Sequence, residues 1–308
     1  MKLKILLIVY KIYIMKWLWT ALVTPFKKGN WINSKIDFVA LDVLLEQQIE
    51  WNVDGVLLLW TTAESPTLTS EEWDKIVEKA IEKLRWKTKI MVNVWNYSTQ
   101  DSLDNIEKFD KVEWIDAYLV VNPYYSKPTQ TWLFKHFTTI AKSTSQNIFL
   151  YNIFWRTGVN LETSTLVDIV NECPNIIWVK EASWNLEQIK DVIEKTPENF
   201  IVLSGEETLT YDLIKCWGHW VVSVASNCKP KMMKNFVDTC INNIEDAEKI
   251  NILNNDFFNN LFIQTNPLPA KTYLASKWFI EEEFRLPLCK MDEDKREYFL
   301  NFIKKYNY

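Results

Sequence analysis

The sequence predicts an α/β protein built as a (β/α)8 barrel, a TIM barrel, with a helical C-terminal appendage. From Trp19 onward, eight short runs of β-branched and apolar residues alternate with amphipathic stretches. The runs are apolar almost throughout, which is typical of parallel strands buried on both faces. Eight strand–helix units within about 220 residues favour a closed barrel over an open sheet.

The predicted strands are the β-branched runs bounded by turn residues. In chain order they are residues 20–23, 55–59, 90–94, 117–121, 148–153, 176–180, 200–203 and 221–225. Helices are predicted where apolar residues recur at helical spacing, at residues 34–50, 70–84, 101–112, 129–143, 163–172, 186–196 and 208–215. Ser70 is the expected N-cap of the second helix, because the acidic residues Glu71 and Glu72 follow it in the first turn.

Three regions are expected along the chain. Residues 1–14 carry a short apolar run flanked by lysines, with no small-residue cleavage site after it. We interpret them as an upstream extension, with Met15 as the natural start. Residues 15–230 form the predicted barrel, and residues 231–308 form the helical C-terminal region, which is interrupted by the Asn-Pro-Leu-Pro sequence at 266–269.

Composition and charge exclude several functional classes. Of the 308 residues, 48% are hydrophobic and 24% charged, which is the balance of a soluble globular protein. The net charge of −5 without a basic block argues against nucleic acid or an anionic membrane surface as a partner. The five cysteines form no C-x-x-C pair and there are only two histidines, so a zinc site is not expected. The odd cysteine count favours a reducing compartment, and we predict a cytoplasmic protein.

The glycine and tryptophan contents are abnormal. The chain has 5 Gly and 16 Trp. Together they make up about 6.8% of the chain, close to the share of roughly 7% that glycine alone usually takes. Many of the tryptophans occupy positions where turn chemistry favours glycine. A tryptophan-rich core is the alternative interpretation, but we favour a translation artefact in which UGA codons that are read as glycine have been translated as tryptophan.

The candidate active-site residues follow the predicted strands, because the active site of such a barrel lies at the C-terminal ends of its strands. Lys180 closes an apolar strand, and partial desolvation there lowers a lysine pKa. A neutral amine can attack a carbonyl and form a Schiff base. The alternative is a lysine whose ammonium reaches solvent. Tyrosines after strand four and in strand five could move the protons that imine chemistry requires.

Two further features point to an acidic substrate. Arg156 follows strand five in a polar loop, and its planar guanidinium suits a carboxylate. A surface arginine is the alternative. Thr61 and Thr62 follow strand two and could donate hydroxyl and backbone hydrogen bonds to a bound acid, or could simply form an ordinary turn.

With Trp read as Gly, five ordered motifs resemble a known family. They are Gly-Thr-Thr-Ala-Glu-Ser at 60–65, Asn-Pro-Tyr-Tyr at 122–125, Tyr-Asn-Ile-Phe-Gly-Arg-Thr-Gly at 151–158, Gly-Val-Lys-Glu-Ala-Ser-Gly-Asn at 178–185 and Gly-Gly-His-Gly-Val-Val-Ser-Val at 217–224. Together they resemble the 4-hydroxy-tetrahydrodipicolinate synthase (dihydrodipicolinate synthase) family of pyruvate-dependent class I aldolases. The resemblance extends from Met15 to about Leu288.

The resemblance implies a lyase that condenses pyruvate with L-aspartate 4-semialdehyde on the route to diaminopimelate and lysine. It implies that Lys180 forms the imine with pyruvate. It also implies that Tyr151 relays protons with Thr61 and with Tyr125, the latter supplied across a subunit interface of a homo-oligomer, in the first instance a tetramer. No metal or organic cofactor is implied.

The same resemblance implies the substrate-binding residues. Thr62 helps to hold pyruvate, and Arg156 binds the carboxylate of the semialdehyde. Gly205 and Val222 contribute backbone contacts near the lysine. Sialic-acid lyase and keto-deoxy sugar acid aldolases are the alternatives within the superfamily, and a catalytically dead barrel is the alternative if the tryptophans are real. Whether lysine inhibits the enzyme stays open.

Two positions depart from the family's pattern. Ala63 stands where glycine is common, which is a mild change if the backbone there has a negative φ. Phe154 stands where proline is usual. We therefore expect a looser loop around Arg156, because the fixed φ of proline is lost.

Overall fold

The computed structural model describes residues 18–308, so the predicted extension at 1–14 lies outside the described residues. Its eight strands are β1 Leu18–Ala21, β2 Gly55–Leu58, β3 Lys89–Asn93, β4 Ala117–Val121, β5 Asn147–Asn152, β6 Ile176–Glu181, β7 Ile201–Ser204 and β8 Trp220–Ser223. They close into a barrel in the order β1 to β8, and the pairs recorded in register are parallel. The predicted fold class is therefore confirmed.

Helices follow the strands and continue after the last one. Around the barrel they are α1 Phe38–Glu50, α2 Ser70–Leu84, α3 Thr99–Phe109, α4 Gln130–Lys142, α5 Phe154–Thr157, α6 Thr163–Glu172, α7 Leu186–Lys195 and α8 Glu207–Lys215. After β8 they are α9 Ala225–Cys228, α10 Pro230–Asn242, α11 Ile244–Asn260, α12 Leu268–Ser276 and α13 Glu293–Lys305. Short 3₁₀ turns at Thr61–Ala63 and Ser65–Thr67 connect β2 to α2.

The capping of two helices differs from the prediction. Helix α1 begins at Phe38 rather than at residue 34, because the Asp37 side chain accepts hydrogen bonds from the backbone N–H groups of Val39 and Ala40 and so caps the helix there. Helix α2 begins at Ser70 as predicted, but its N-cap is Thr69. Thr69 and Glu72 form a reciprocal capping box, a pattern that the adjacent serine obscured in the sequence.

The chain divides into two compact units, one formed by the residues up to Lys89 together with Ser223–Tyr308, and the other by Ile90–Val222. In the first unit, Leu44, Phe257, Phe258 and Leu274 are fully buried. The second contains β4 to β7 and most of β3 and β8, and its strands are apolar through their middle residues, such as Val120, Leu150 and Val179. Within the described residues, no helix is long and apolar enough to cross a membrane.

Candidate active site

Lys180 and Tyr151 lie side by side at the C-terminal ends of β6 and β5. They are register partners in the parallel pair. Both side chains are almost completely buried, and the Nζ atom of Lys180 lies 4.2 Å from the centroid of the Tyr151 ring. The structure thus brings together the two residues that the sequence placed at the centre of the chemistry.

The environment of Lys180 favours a neutral amine. Burial is the main cause that lowers the pKa of the amine, to about 8, and the positive charge of Arg156 acts in the same direction. The carboxylates of Glu206 and Glu207 oppose this shift but do not cancel it. Burial also raises the pKa of Tyr151, so its phenol stays protonated at neutral pH. The pair can therefore supply a nucleophile and a proton donor together.

Two glutamates after β7 act electrostatically on Lys180, which the sequence did not reveal. Glu206 and Glu207 are both buried. Burial and the neighbouring Glu207 raise the pKa of Glu206 to about 7, while Lys180 acts to lower it. The local sequence gives no sign that the charge of the Glu206 carboxylate, after β7, acts on the lysine of the adjacent strand β6.

Gly205 leaves room for the lysine side chain. A Cβ atom at this position would lie 2.7 Å from the Cβ of Ala182 and 3.1 Å from the Cε of Lys180. Real Cβ atoms do not approach other carbons as closely as the first of these distances. The absence of a side chain at Gly205 therefore allows β7 to pass close to the end of β6.

Arg156 lies in the short helix α5, directly after β5, and its side chain is exposed. Its charge lowers the pKa of Lys180, Tyr151 and Glu206. Helix α5 ends at Thr157 and is capped by Gly158, which has a left-handed φ of 69° and whose N–H donates to the carbonyl of Phe154 at 2.7 Å. The segment is therefore an ordered helical turn although Phe154 replaces the expected proline.

A buried carboxyl group lies directly behind the lysine. Glu181 follows Lys180 in β6, and burial raises its pKa to about 7. Its carboxylate accepts a hydrogen bond from the backbone N–H of Ser183 at 2.8 Å and from the Nδ2 of Asn152 at 3.2 Å. Because successive side chains of a strand point to opposite faces, Glu181 is on the face of β6 opposite to Lys180.

Thr61 and Thr62 form a 3₁₀ turn after β2, in the first unit. Thr61 is half-buried, and Thr62 is buried with its Oγ1 accepting a hydrogen bond from the Nδ2 of Asn266 at 2.8 Å. Since this bond uses a lone pair of the hydroxyl, the O–H of Thr62 can donate to another group. Ala63, where the family has glycine, belongs to the turn and does not have a positive φ.

A buried ion pair stabilises the residue that follows this turn. Glu64 adopts a left-handed conformation with φ 55°, and its Oε1 lies 2.5 Å from the Nζ of Lys271. Its Oε2 accepts the backbone N–H of Arg285 at 3.0 Å. The Arg285 guanidinium in turn makes a two-pronged pair with Glu72, at 2.7 and 2.6 Å. The C-terminal region thus neutralises a carboxylate about 200 residues away in sequence, which local sequence patterns could not predict.

The other two predicted residues occupy different surroundings. Tyr125 follows β4 with φ 67° and is 89% exposed, so its ring is not packed against the Lys180 of the same chain. Val222 is buried on β8. Among the described residues, no group of three or more His, Cys, Asp or Glu side chains has the arrangement of a metal site.

Six tryptophans have backbone conformations that favour glycine. Their φ angles lie between 60° and 75°, at Trp31, Trp86, Trp114, Trp184, Trp217 and Trp278. Trp217 and Trp278 follow the last turns of α8 and α12, in the position of a helix C-terminal cap. Trp278 is 94% exposed. By contrast, Trp178 is buried in β6 and stacks on Phe149 with ring centroids 4.0 Å apart.

The chain is similar to characterised proteins over nearly its whole length. A 4-hydroxy-tetrahydrodipicolinate synthase from Hydrogenobaculum sp. (strain Y04AAS1) is 37% identical over 289 residues, which cover 94% of this chain and 97% of the relative. The crystal structure of dihydrodipicolinate synthase from Aquifex aeolicus superposes with a TM-score of 0.90 at 35% identity and covers 95% of this chain and 98% of that one. A structure described as the first monomeric dihydrodipicolinate synthase variant superposes with a TM-score of 0.91 at 33% identity, covering 96% and 98%. A model of the dihydrodipicolinate synthetase family matches residues 15–306, and the chain belongs to that family.

Proposed function

We propose that the chain condenses pyruvate with L-aspartate 4-semialdehyde to give 4-hydroxy-tetrahydrodipicolinate, as a Schiff-base-forming lyase of diaminopimelate and lysine biosynthesis. The observation that carries this function is the buried Lys180 amine with its lowered pKa beside the Tyr151 phenol. Relatives at 35–40% identity over most of the chain are 4-hydroxy-tetrahydrodipicolinate synthases.

The reaction begins with the Lys180 amine. Its pKa of about 8, against 10.5 for an ordinary lysine, makes the neutral form roughly 300-fold more abundant at neutral pH. The amine adds to the C2 carbonyl of pyruvate and water leaves, which gives the imine. Loss of a C3 proton gives an enamine, whose C3 attacks the aldehyde carbon. The amino group of the second substrate then attacks C2, closes the ring and releases Lys180.

In this proposal, tyrosine and threonine hydroxyl groups transfer the protons. Tyr151 remains protonated because burial raises its pKa, so it can donate a proton to the departing water and take one back. Thr61 and the Tyr125 of a neighbouring chain complete the relay in the family's pattern. The exposure of Tyr125 supports this assignment, because a side chain directed away from its own barrel is available to another subunit.

Substrate binding uses both fixed charge and backbone. We assign Arg156 to the carboxylate of the semialdehyde, since its guanidinium is exposed while its charge still acts on Lys180. Thr62 donates its hydroxyl to the bound acid, an assignment supported by the bond from Asn266 that leaves the O–H available. Gly205 and Val222 provide backbone next to the lysine. No cofactor takes part, because the imine on Lys180 itself serves as the electron sink.

The alternative substrates are tested directly. The protein should form product from pyruvate and L-aspartate 4-semialdehyde, and should not cleave N-acetylneuraminate or condense pyruvate with N-acetylmannosamine. A preference for the sugar would assign the chain to the sialic-acid lyases instead. We further propose a cytoplasmic homo-oligomer, with a tetramer as the expected form.

We also propose that most of the 16 tryptophans are glycines in the native polypeptide. A non-glycine residue in a left-handed conformation costs about 1–3 kcal/mol. Six such tryptophans would together cost as much as the roughly 5–15 kcal/mol that stabilises a folded domain. Helix caps such as Trp217 and Trp278 are among the positions where glycine is most favoured.

Peptide mass spectrometry of the protein from its own organism decides this proposal. Glycine at the six left-handed positions is the expected result, whereas Trp73 should be retained. Tryptophan at positions 60, 155 and 178 would contradict the recoding and would favour a catalytically dead barrel. All variants described below are made in the polypeptide whose composition this measurement establishes.

A further inference from the structure

The segment that carries Arg156 is anchored by side chains from four other elements. This segment, residues 153–161, is here called the Arg156 segment; it consists of α5, the cap at Gly158 and a short extended stretch. Its last three residues contact α4, β4, β5 and α7 through hydrogen bonds. The Nδ2 of Asn122, after β4, donates to the carbonyl of Val159 at 3.0 Å, and the Nε2 of Gln130, in α4, donates to that of Asn160 at 2.8 Å.

Asn152 is the centre of these contacts. It is fully buried, and both ends of its amide are used. The Oδ1 accepts from the backbone N–H of Leu161 at 3.0 Å and from Asn122 at 2.9 Å. The Nδ2 donates to the Oδ1 of Asn160 at 2.9 Å and to the Glu181 carboxylate at 3.2 Å. One amide therefore joins the Arg156 segment to the residue that follows Lys180.

Gln188 in α7 forms a second anchor on the same segment. Its Nε2 donates to the Oδ1 of Asn160 at 3.1 Å and to the carbonyl of Leu161 at 3.2 Å. Its Oε1 accepts from the Nδ2 of Asn160 at 2.8 Å. The Gln188 side chain also acts to lower the pKa of the Glu181 carboxyl. Asn152 and Gln188 thus both connect the Arg156 segment with the surroundings of Glu181.

The hydrogen bonds of Asn152 and Glu181 lie on the faces of β5 and β6 that are opposite to Tyr151 and Lys180. Asn152 follows Tyr151 in β5, and Glu181 follows Lys180 in β6, and the two are register partners. Alternation along a strand directs them away from the catalytic pair. They therefore cannot touch the reacting atoms, but they determine where the Arg156 segment lies relative to the end of β6.

We propose that Asn152 and Gln188 are positioning residues for the aldehyde substrate, because they hold the Arg156 segment at a fixed place beside the strand that carries Lys180. The inference rests on the proposed function and names residues that determine how well the aldehyde substrate binds. These bonds take over the constraint that proline would supply at position 154, so the segment stays ordered with Phe154 in its place. The residues assigned to pyruvate lie outside the Arg156 segment, so we expect the anchors to act on the second substrate.

The first test is the variant Gln188→Ala, with Gln100→Ala as the matched control. Gln188 is half-buried on a surface helix, so we expect the fold to tolerate its loss. The control residue Gln100 lies on α3, outside the Arg156 segment, and makes one exposed hydrogen bond, to Asp104. Gln188→Ala removes three hydrogen bonds to the segment. It should raise the KM for the semialdehyde by about 3–10-fold, which corresponds to the net free energy of about one hydrogen bond, because the lost bonds act only through the position of Arg156. The KM for pyruvate and the rate of borohydride trapping of the pyruvate imine should stay within about twofold. The control should change nothing.

A double-mutant cycle separates positioning from general stability. If Gln188 acts through Arg156, then Gln188→Ala should have no further effect on the semialdehyde KM in an Arg156→Ala background. Asn160→Ala removes the side chain that both Asn152 and Gln188 hold, without adding a charge beside Glu181, and it should show the same selective defect. An equal loss of pyruvate trapping in either variant, an additive cycle, or an unchanged semialdehyde KM would overturn the proposal. Failure of the unmodified protein to trap pyruvate would instead refute the proposed function.

Discussion

The Nζ of Lys180 lies 4.2 Å from the ring centroid of Tyr151, its register partner on the adjacent strand. The ring covers the amine and excludes water, so the contact explains much of the burial that lowers the lysine pKa. The strand pairing also places the Tyr151 phenol, whose pKa burial raises, on the strand next to the amine. In the proposed reaction, the nucleophile and the proton donor therefore come from a single pair of register partners.

The pH dependence of pyruvate capture follows from this environment. Because only the neutral amine attacks, kcat/KM for pyruvate should rise about tenfold per pH unit below pH 8 and level off above it. Glu206 raises the pKa of Lys180, so Glu206→Gln should move the midpoint to lower pH. Glu187→Gln, an exposed carboxylate on α7, is the control and should leave the midpoint in place. A midpoint near 10.5 in the unmodified protein, or a shift to higher pH in the Glu206 variant, would contradict this account of the site.

Arg156→Ala should weaken the binding of the semialdehyde more than the binding of pyruvate. Loss of a charged hydrogen-bonding partner costs about 1.5–3 kcal/mol, which corresponds to a rise of roughly 10–150-fold in the apparent KM for the aldehyde. Steady-state kinetics with each substrate varied in turn measure the difference. A change confined to the KM for pyruvate would mean that Arg156 binds the other substrate.

Gly205→Ala should slow imine formation by crowding Lys180. The added Cβ would press on the Cβ of Ala182 and the Cε of Lys180, and overpacking of this kind costs about 1–3 kcal/mol. We expect the trapping rate to fall by about tenfold or more. The double variant Gly205→Ala with Ala182→Gly removes the closer contact and should recover part of the rate. No loss in the single variant, or no recovery in the double one, would show that the spacing at Gly205 is unimportant.

The role of Tyr125 requires at least two chains. Tyr125→Phe and Lys180→Ala should each be impaired when prepared separately. After the two are mixed and allowed to exchange subunits, some sites contain an intact Lys180 and an intact Tyr125 from different chains, so activity should return. Sedimentation shows whether an oligomer forms. A fully active monomer, or mixed variants that regain nothing, would place the relay within one chain.

The sequence predicted the parts of the site that depend on local pattern. Lys180 and Tyr151 could be predicted as candidates because the strands are recognisable as apolar runs, and residues at strand ends meet at one end of a barrel. The pairing of Glu64 with Lys271 could not be found, because it joins residues about 200 positions apart and depends on tertiary packing. The effect of Glu206 on the pKa of Lys180 could not be predicted either, because it also depends on tertiary packing.

Local competition explains the smaller errors. Thr69 and Ser70 are both good N-cap residues, and only the geometry of the capping box decides between them. The contacts of the segment around Arg156 could not be predicted, because the loss of proline is visible in the sequence but the amides of Asn152 and Gln188 reach the segment from other elements.

The central claim is that Lys180 forms a covalent imine with pyruvate. Incubation with pyruvate and borohydride, followed by peptide mass spectrometry, tests it most directly. The account predicts one pyruvate-derived adduct per chain, located on the peptide that contains Lys180, and none in a folded Lys180→Ala variant. Equal labelling of that variant, or an adduct on another lysine, would contradict it.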